Sequence, residues 1–110
     1  GILEADESPR ACAVRELREE VGLKPLNLQA IGGLHTAPGY TDEYIHLFYA
    51  TEFDHAPLPQ DDDEQLAVVR VPFAEALHMI DNGTISEAKT ICGLYKVARL
   101  RRSHKTGKAD

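Results

Sequence analysis

Apolar residues in the first quarter of the chain recur with the spacing of a helix. Val14, Leu17 and Val21 fall on one side when successive residues are placed about 100° apart. The opposite side is acidic and consists of Glu16, Glu19 and Glu20. This pattern predicts a helix with one apolar face and one face of carboxylates.

Residues that favour the ends of helices flank this segment. Ser8 is a favourable N-cap, Pro9 suits the first helical position, and Gly22 suits the left-handed conformation that follows a helix. The helix is therefore predicted to run from about Pro9 to Val21.

Three later segments have the composition or alternation of strands, residues 26–34, 43–53 and 66–71. Lys24-Pro25 is expected to act as a stop before the first of them, which Gly32-Gly33 interrupts as at a bulge or a close backbone approach. Residues 54–60 contain two prolines and are predicted to form a loop. The chain is therefore predicted to contain three strands after its first helix.

Two further helices are predicted near the C-terminus. Residues 73–80 have helical spacing and precede Asn82-Gly83, a typical C-cap. Ser86 is the expected N-cap of a final helix over residues 87–101. The residues expected to face the core from this helix are Ile91, Leu94, Tyr95 and Ala98.

Length and composition fit one small globular domain. The chain has 110 residues, 43% apolar and 27% charged, and has neither an apolar run long enough to span a bilayer nor a visible secretory signal. Cys12 and Cys92 lack the spacing of a zinc site or a disulfide framework, so we expect two buried thiols in a reducing cytoplasm. The five histidines have no shared metal spacing and are expected to be structural or exposed.

Charge is unevenly distributed along the chain. Residues 96–110 hold six basic residues and one acid, a net charge of +5, which leaves −11 for residues 1–95 out of the total of −6. An acidic body does not favour binding to a nucleic-acid backbone. The basic end could contact phosphate, but cations that complement the dipole at the end of a helix explain it more simply.

The acidic face of the first helix is a candidate metal site. Glu16 and Glu20 are spaced i,i+4, which costs roughly 0.2–0.5 kcal/mol on an isolated helix unless a cation lies between them. Carboxylates at this spacing suit Mg²⁺ or Mn²⁺ that bridges to substrate phosphates. Arg15 can pair with Glu19 at i,i+4. A solvated acidic face is the alternative explanation.

The same stretch matches every fixed position of the Nudix box, namely Gly1, Glu7, Arg15, Glu16, Leu17, Glu19, Glu20, Gly22 and Leu23. The chain therefore resembles Nudix hydrolases, which cleave a nucleoside diphosphate linked to another moiety. The resemblance implies an α/β fold, a Nudix-type α/β/α sandwich with a mixed sheet. It also implies that Glu7 and Arg15 orient the helix that carries the metal ligands, although a structural salt bridge would need no catalysis.

Residues 38–48 and 83–90 are similar to the ADP-ribose pyrophosphatase branch of this family. That resemblance implies Mg²⁺-dependent hydrolysis of ADP-ribose to AMP and ribose 5-phosphate. It also implies that Glu43 approaches the bound substrate, whereas a surface acid that caps a turn is the alternative. ADP-glucose, diadenosine polyphosphates and other nucleoside diphosphate derivatives remain open as substrates.

An acidic run, residues 61–64, precedes the third predicted strand. Four like charges are often only solvated, but the run matches the loop that completes the family's metal site. By resemblance, Glu64 is the added metal ligand, and Asp62, Asp63 or Glu64 is the general base. The implied metal ligands are then Glu16, Glu19, Glu20 and Glu64.

Two departures from the family pattern affect these expectations. Ala5-Asp6 stands where members commonly have a turn that contains glycine. The chain also opens on the box, so we expect that N-terminal strands, substrate contacts and much of a homodimer interface are missing. Residues 1–102 are predicted to form the Nudix domain and residues 103–110 a disordered basic tail. A non-catalytic nucleotide-sensing module or an inactive fragment are the alternative functions.

Overall fold

The computed structural model describes residues 2–59 and 68–109, with side chains as far as Ser103. In this part of the chain the elements follow the order α1 (Pro9–Glu20), β1 (Leu23–Pro25), β2 (Gln29–His35), β3 (Tyr44–Tyr49), β4 (Phe53–His55), α2 (Phe73–Asp81) and α3 (Ala88–Ala109). The predicted α/β class is confirmed. No helix of the described residues has an apolar stretch long enough to cross a bilayer.

The described residues divide into two compact units. One comprises residues 2–32, 48–59 and 68–69, and the other comprises residues 33–47 and 70–109. The first unit contains α1, β1 and β4, and the second contains α2 and α3.

Helix α1 begins and ends where the sequence predicts. The side chain of Ser8 accepts a hydrogen bond from the N–H of Ala11 at 3.1 Å, and Pro9 lies in the first turn. Gly22 has a φ of 78°, and its N–H donates to the carbonyl of Leu17 at 3.0 Å. A residue in the left-handed region therefore ends the helix, as expected.

Strands β1 and β4 lie where the sequence predicts a stop and the start of a loop. They pair antiparallel, with Leu23 opposite His55 and Pro25 opposite Phe53. Proline has no N–H to donate, but the edge of a ladder tolerates it. The stop expected at Lys24-Pro25 and the loop expected from residue 54 are therefore wrong at these positions.

The strand predicted over residues 43–53 is two strands, β3 and β4, with a break between them. The Oδ1 atom of Asn27 accepts hydrogen bonds from the N–H groups of Thr51 and Glu52, at 2.9 Å and 3.0 Å. This side chain thus takes two donors that a continuous strand would give to a ladder. The strand predicted from residue 26 likewise begins later, at Gln29.

Strands β2 and β3 form the other two-stranded sheet. A Cβ atom built on Gly33 would lie 2.6 Å from the Tyr44 ring, so only glycine leaves room for this ring. The ring of Tyr44 in turn contacts His35 and His46 edge to face, with centroids 4.9 Å and 5.0 Å away. The interruption predicted at Gly32-Gly33 is a close approach to the neighbouring strand.

The predicted third strand is wrong over its described residues, because residues 68–71 are not in a strand. Residues 66–67 lie outside the described part of the chain. Helix α2 matches its prediction, with Asn82 as C-cap and a φ of 85° at Gly83.

Helix α3 begins one residue later than predicted. The carboxylate of Glu87 accepts hydrogen bonds from the N–H groups of Lys89 and Thr90, at 3.2 Å and 2.8 Å, so Glu87 caps the helix instead of Ser86. The helix continues to Ala109, past the predicted end at residue 101. The domain boundary at residue 102 stays a prediction.

Burial within α3 follows the predicted stripe only in part. Ile91, Leu94 and Ala98 are half-buried, whereas Tyr95 is exposed. The guanidinium of Arg101 lies 4.4 Å from the ring centroid of Phe73 and joins α3 to α2 by a cation–π contact.

The two cysteines have different surroundings. Cys12 on α1 is buried, and Cys92 on α3 is exposed. The prediction of a buried thiol is confirmed for Cys12 and wrong for Cys92, which falls on the outward side of its helix.

Candidate functional site

Arg15, in the middle of α1, gathers carboxylates along one side of the helix. Its Nε donates to Glu7 Oε2 at 2.8 Å and its Nη2 donates to Glu7 Oε1 at 3.0 Å, a bidentate pair. Its Nη1 donates to Glu16 Oε1 at 3.0 Å and to Glu19 Oε2 at 3.2 Å. One guanidinium therefore fixes three of the predicted site carboxylates, and the i,i+4 pair of Arg15 with Glu19 is confirmed.

A tight turn brings Glu7 to Arg15. The N–H of Glu7 donates to the carbonyl of Glu4, and the N–H of Glu4 donates to Glu7 Oε1, each at 3.0 Å. Asp6 has a φ of 62°, a left-handed conformation that aspartate tolerates better than most residues. The turn therefore forms without a glycine, despite the departure noted at Ala5-Asp6.

These charged side chains are largely withdrawn from water. The exposed fraction of the side chain is 13% for Glu7, 15% for Glu16 and 20% for both Glu19 and Arg15. Water and salt screen such pairs less than pairs on an open surface. A freely solvated acidic face does not describe this part of the helix.

The hydrogen bonds between Arg15 and Glu7 stabilise the charged form of both side chains. Donation from Arg15 lowers the pKa of Glu7 to about 2, and the bond to Glu7 raises the pKa of Arg15. Both groups are therefore ionised at neutral pH.

Cys12 also contacts Arg15, and this contact was not predicted from the sequence. Nη2 of Arg15 lies 3.7 Å from its Sγ atom, and burial raises the pKa of the thiol. Cys12 and Arg15 are spaced i,i+3, which places neighbours on one helix face. That spacing was the available sequence signal.

The donor set on α1 fits a hard divalent cation in its chemistry. Carboxylate oxygens are the ligands that Mg²⁺ and Mn²⁺ prefer, and the bond that Arg15 donates to Glu16 goes to Oε1. Glu20 is the last residue of the helix. Within residues 2–59 and 68–109, however, no group of three or more His, Cys, Asp or Glu residues is arranged to hold a metal ion.

The remaining predicted ligands fall on the acidic run. Asp62, Asp63 and Glu64 lie among residues 60–67, outside the described part of the chain. Their roles as metal ligand and general base stay predictions.

Glu43 lies in the loop between β2 and β3, in the other compact unit. Oγ1 of Thr36 donates to Glu43 Oε1 at 2.8 Å, and the N–H of Glu43 donates to Oγ1 of Thr41 at 3.2 Å. These bonds are those of a surface acid that stabilises a turn, and the substrate contact stays a prediction.

Arg18, also on α1, has a partner distant in sequence. Its Nε donates to the carbonyl oxygen of Ala56 at 2.8 Å. The sequence predicts no role for Arg18, because a backbone acceptor leaves no signature in a sequence.

Known proteins are similar to this chain in sequence and in fold. A family model described as the NUDIX domain matches residues 1–93. The GDP-mannose pyrophosphatase of Cronobacter sakazakii is 38% identical over 95 residues, which cover 83% of this chain and 49% of that protein. The ADP-ribose pyrophosphatase of Bacillus subtilis is 36% identical over 92 residues, which cover 82% of this chain and 50% of that protein.

A solved structure agrees with these matches. The crystal structure of an ADP compounds hydrolase superposes with a TM-score of 0.85 at 28% identity, over 94% of this chain and 56% of that one. The chain spans about half the length of the curated relatives it matches.

Proposed function

Because the chain belongs to the NUDIX domain family, we propose that it hydrolyses the pyrophosphate bond of ADP-ribose or of a related nucleoside diphosphate sugar. The names of the relatives, a GDP-mannose pyrophosphatase and an ADP-ribose pyrophosphatase, support this substrate class. Hydrolysis of ADP-ribose at this bond yields AMP and ribose 5-phosphate.

The Arg15 network is the observation that carries the proposal. A metal-binding face needs carboxylates that keep their direction, and Arg15 holds Glu7, Glu16 and Glu19 by hydrogen bonds. The side chains of these three acids are mostly buried around the Arg15 guanidinium. A helix of equal stability could instead carry its acids on a solvated face.

In the proposed site, Glu16, Glu19 and Glu20 of α1 would hold Mg²⁺ or Mn²⁺, and Glu64 of the acidic run would add a ligand. The bound cation would neutralise the diphosphate charge and lower the pKa of a water molecule. Asp62 or Glu64 takes the proton of the attacking water. Arg15 and Glu7 keep the ligand helix in its orientation.

Glu43 is proposed to approach the substrate from the loop between β2 and β3. Its Oε1 already accepts a bond from Thr36, so the carboxylate has a fixed direction and a second oxygen for a ligand hydroxyl. The homodimer implied by the resemblance and the cytoplasmic location expected from the two cysteines stay predictions.

The test is an assay of AMP released from ADP-ribose and of GMP released from GDP-mannose, with and without Mg²⁺. Glu20→Gln keeps the size of the side chain and removes its charge. Since even groups that only orient metal ligands contribute about 10–100-fold to activity, we expect Glu20→Gln to lower activity by more than about tenfold. Glu75→Gln, on the exposed side of α2, is the matched control and should retain full activity. Full activity of Glu20→Gln would show the metal assignment to be wrong.

A further inference from the structure

Asn82 and Gly83 lie between α2 and α3, and both residues are exposed to water. Glycine has no Cβ atom, so its backbone nitrogen can come close to the side-chain amide of the asparagine before it. Among the described residues, none other than the two chain neighbours of Gly83 would come within 4 Å of a Cβ atom built on it, so its surroundings are open. We propose that Asn82 is a site of spontaneous deamidation and that Thr84 slows this reaction.

The reaction needs only the chain and water. The backbone nitrogen of Gly83 loses its proton to hydroxide and forms a bond to Cγ of Asn82. The bond from Cγ to Nδ2 then breaks, and Nδ2 takes up a proton and leaves as ammonia. Water opens the resulting succinimide ring at either carbonyl carbon, which gives an aspartate or an isoaspartate at this position. The isoaspartate carries the main chain through its Cβ and Cγ atoms and so lengthens the connection between α2 and α3.

The backbone conformation of Asn82 opposes ring closure. A five-membered ring requires the Gly83 nitrogen to be nearly eclipsed with Cβ of Asn82. The ψ angle of Asn82 is 1°, which instead eclipses the Gly83 nitrogen with the backbone nitrogen of Asn82. The N–H of Gly83 also donates to the carbonyl of Ile80 at 3.2 Å, a distance at the long end of the range for such bonds. The ring can therefore close only after ψ rotates and this bond opens.

Thr84 holds the side chain of Asn82 in place. Oδ1 of Asn82 accepts hydrogen bonds from the N–H of Thr84 at 2.9 Å and from Oγ1 of Thr84 at 2.6 Å. Two donors on one oxygen fix the direction of the amide group. Cγ can turn toward the Gly83 nitrogen only when these bonds are released, and their net free energy opposes that release. The hydroxyl is the part of this restraint that a substitution can remove.

Asn27, the other asparagine of the sequence, is an internal control. Its Oδ1 accepts hydrogen bonds from the N–H groups of Thr51 and Glu52, at 2.9 Å and 3.0 Å, and its Nδ2 donates to Oγ1 of Thr51 at 2.5 Å. Leu28 follows it, and the branched side chain of leucine hinders the approach of the backbone nitrogen. Asn27 should therefore keep its amide while Asn82 reacts.

The experiment incubates the folded chain at mildly alkaline pH, below its melting temperature, and follows each asparagine by peptide mass spectrometry, which detects replacement of the amide NH₂ by OH. We expect this replacement to accumulate at Asn82 and not at Asn27. Thr84→Ala should raise the initial rate about two- to tenfold, because one hydrogen bond of ordinary strength no longer opposes ring closure. Thr84→Ser keeps a hydroxyl and should react at nearly the rate of the unchanged chain.

Thr90→Ala is the matched control, because Oγ1 of Thr90 donates to Glu87 Oε2, also at 2.6 Å, and makes no bond to Asn82. This variant should deamidate at the rate of the unchanged chain. If Asn82 keeps its amide as long as Asn27 does, the proposed modification site is wrong. If Thr84→Ala reacts no faster than the unchanged chain, or Thr90→Ala is accelerated equally, the role of Thr84 is wrong. These measurements involve neither metal nor hydrolysis of a diphosphate, so they are independent of the proposed function.

Discussion

The segments that start α1 and α3 each contain a glutamate whose pKa is lowered to about 2, yet the two sites differ. Glu7 is held by Arg15, eight residues away, and its side chain is 13% exposed. Glu87 is held first by Lys89 and then by Thr90, two and three residues away, and its side chain is 48% exposed. A lowered pKa is therefore shared by a candidate site and an ordinary helix cap.

Burial and the range of the contacts distinguish the two segments. The bonds of Glu87 satisfy the N–H groups that any helix leaves open at its start. Arg15 instead bonds to residues before, beside and after it, and so arranges several acids at once. A perturbed carboxylate indicates a functional site only when such a convergent arrangement accompanies it.

The largest effect is expected from Arg15→Met, which removes every bond that converges on the guanidinium. We expect activity on ADP-ribose to fall about 10–100-fold, because the ligand carboxylates lose their common partner. Arg15→Lys should recover only part of this loss, since an ammonium cannot make the bidentate contact. Lys89→Met is the counterpart on α3, and an equal loss of activity there would abolish the distinction between the two segments.

A smaller effect is expected from Glu7→Gln, and it should depend on pH. The folded-state pKa of about 2 lies below the ordinary value of 4.5, so the ionised group stabilises the folded protein fully above pH 4.5. That contribution is lost as the pH falls from 4.5 through 2. Glu7→Gln should therefore melt at a lower temperature than the unchanged protein at pH 7, and the difference should shrink toward pH 2. A difference independent of pH would contradict the role of this charge.

The smallest effect is expected from Glu87→Gln. Its carboxylate has the same direction of pKa shift and the same pH window, but it is half exposed, so water and salt screen its contacts. We expect unchanged activity and a decrease in melting temperature smaller than that of Glu7→Gln, reduced further by high salt. A larger decrease than for Glu7→Gln would reverse the ranking of the two segments.

Local features were predictable from the sequence. The start and end of α1 depend on Ser8, Pro9 and Gly22, which act within one helical turn of their own positions. The pair of Arg15 with Glu19 follows from helical spacing alone. The tie to Glu7 was expected only through the family resemblance, because it requires a turn with a left-handed residue.

Contacts between distant residues were not predictable. β1 and β4 are three residues long, too short for alternation to reveal them, and their pairing joins positions about thirty apart in sequence. Asn27 breaks the long predicted strand through hydrogen bonds to residues 24 and 25 positions away. Arg18 likewise meets a backbone carbonyl that any residue could supply.

Asp6 shows that the turn before Glu7 constrains backbone shape more than residue type. Its left-handed φ of 62° costs about 1–2 kcal/mol for a residue with a side chain, and less for aspartate than for bulkier ones. A search profile that demands glycine at this position would pass over such chains. At position 6, natural variation is instead expected among glycine, asparagine and aspartate. A different residue at position 6 should therefore not indicate that the carboxylate of Glu7 has been lost.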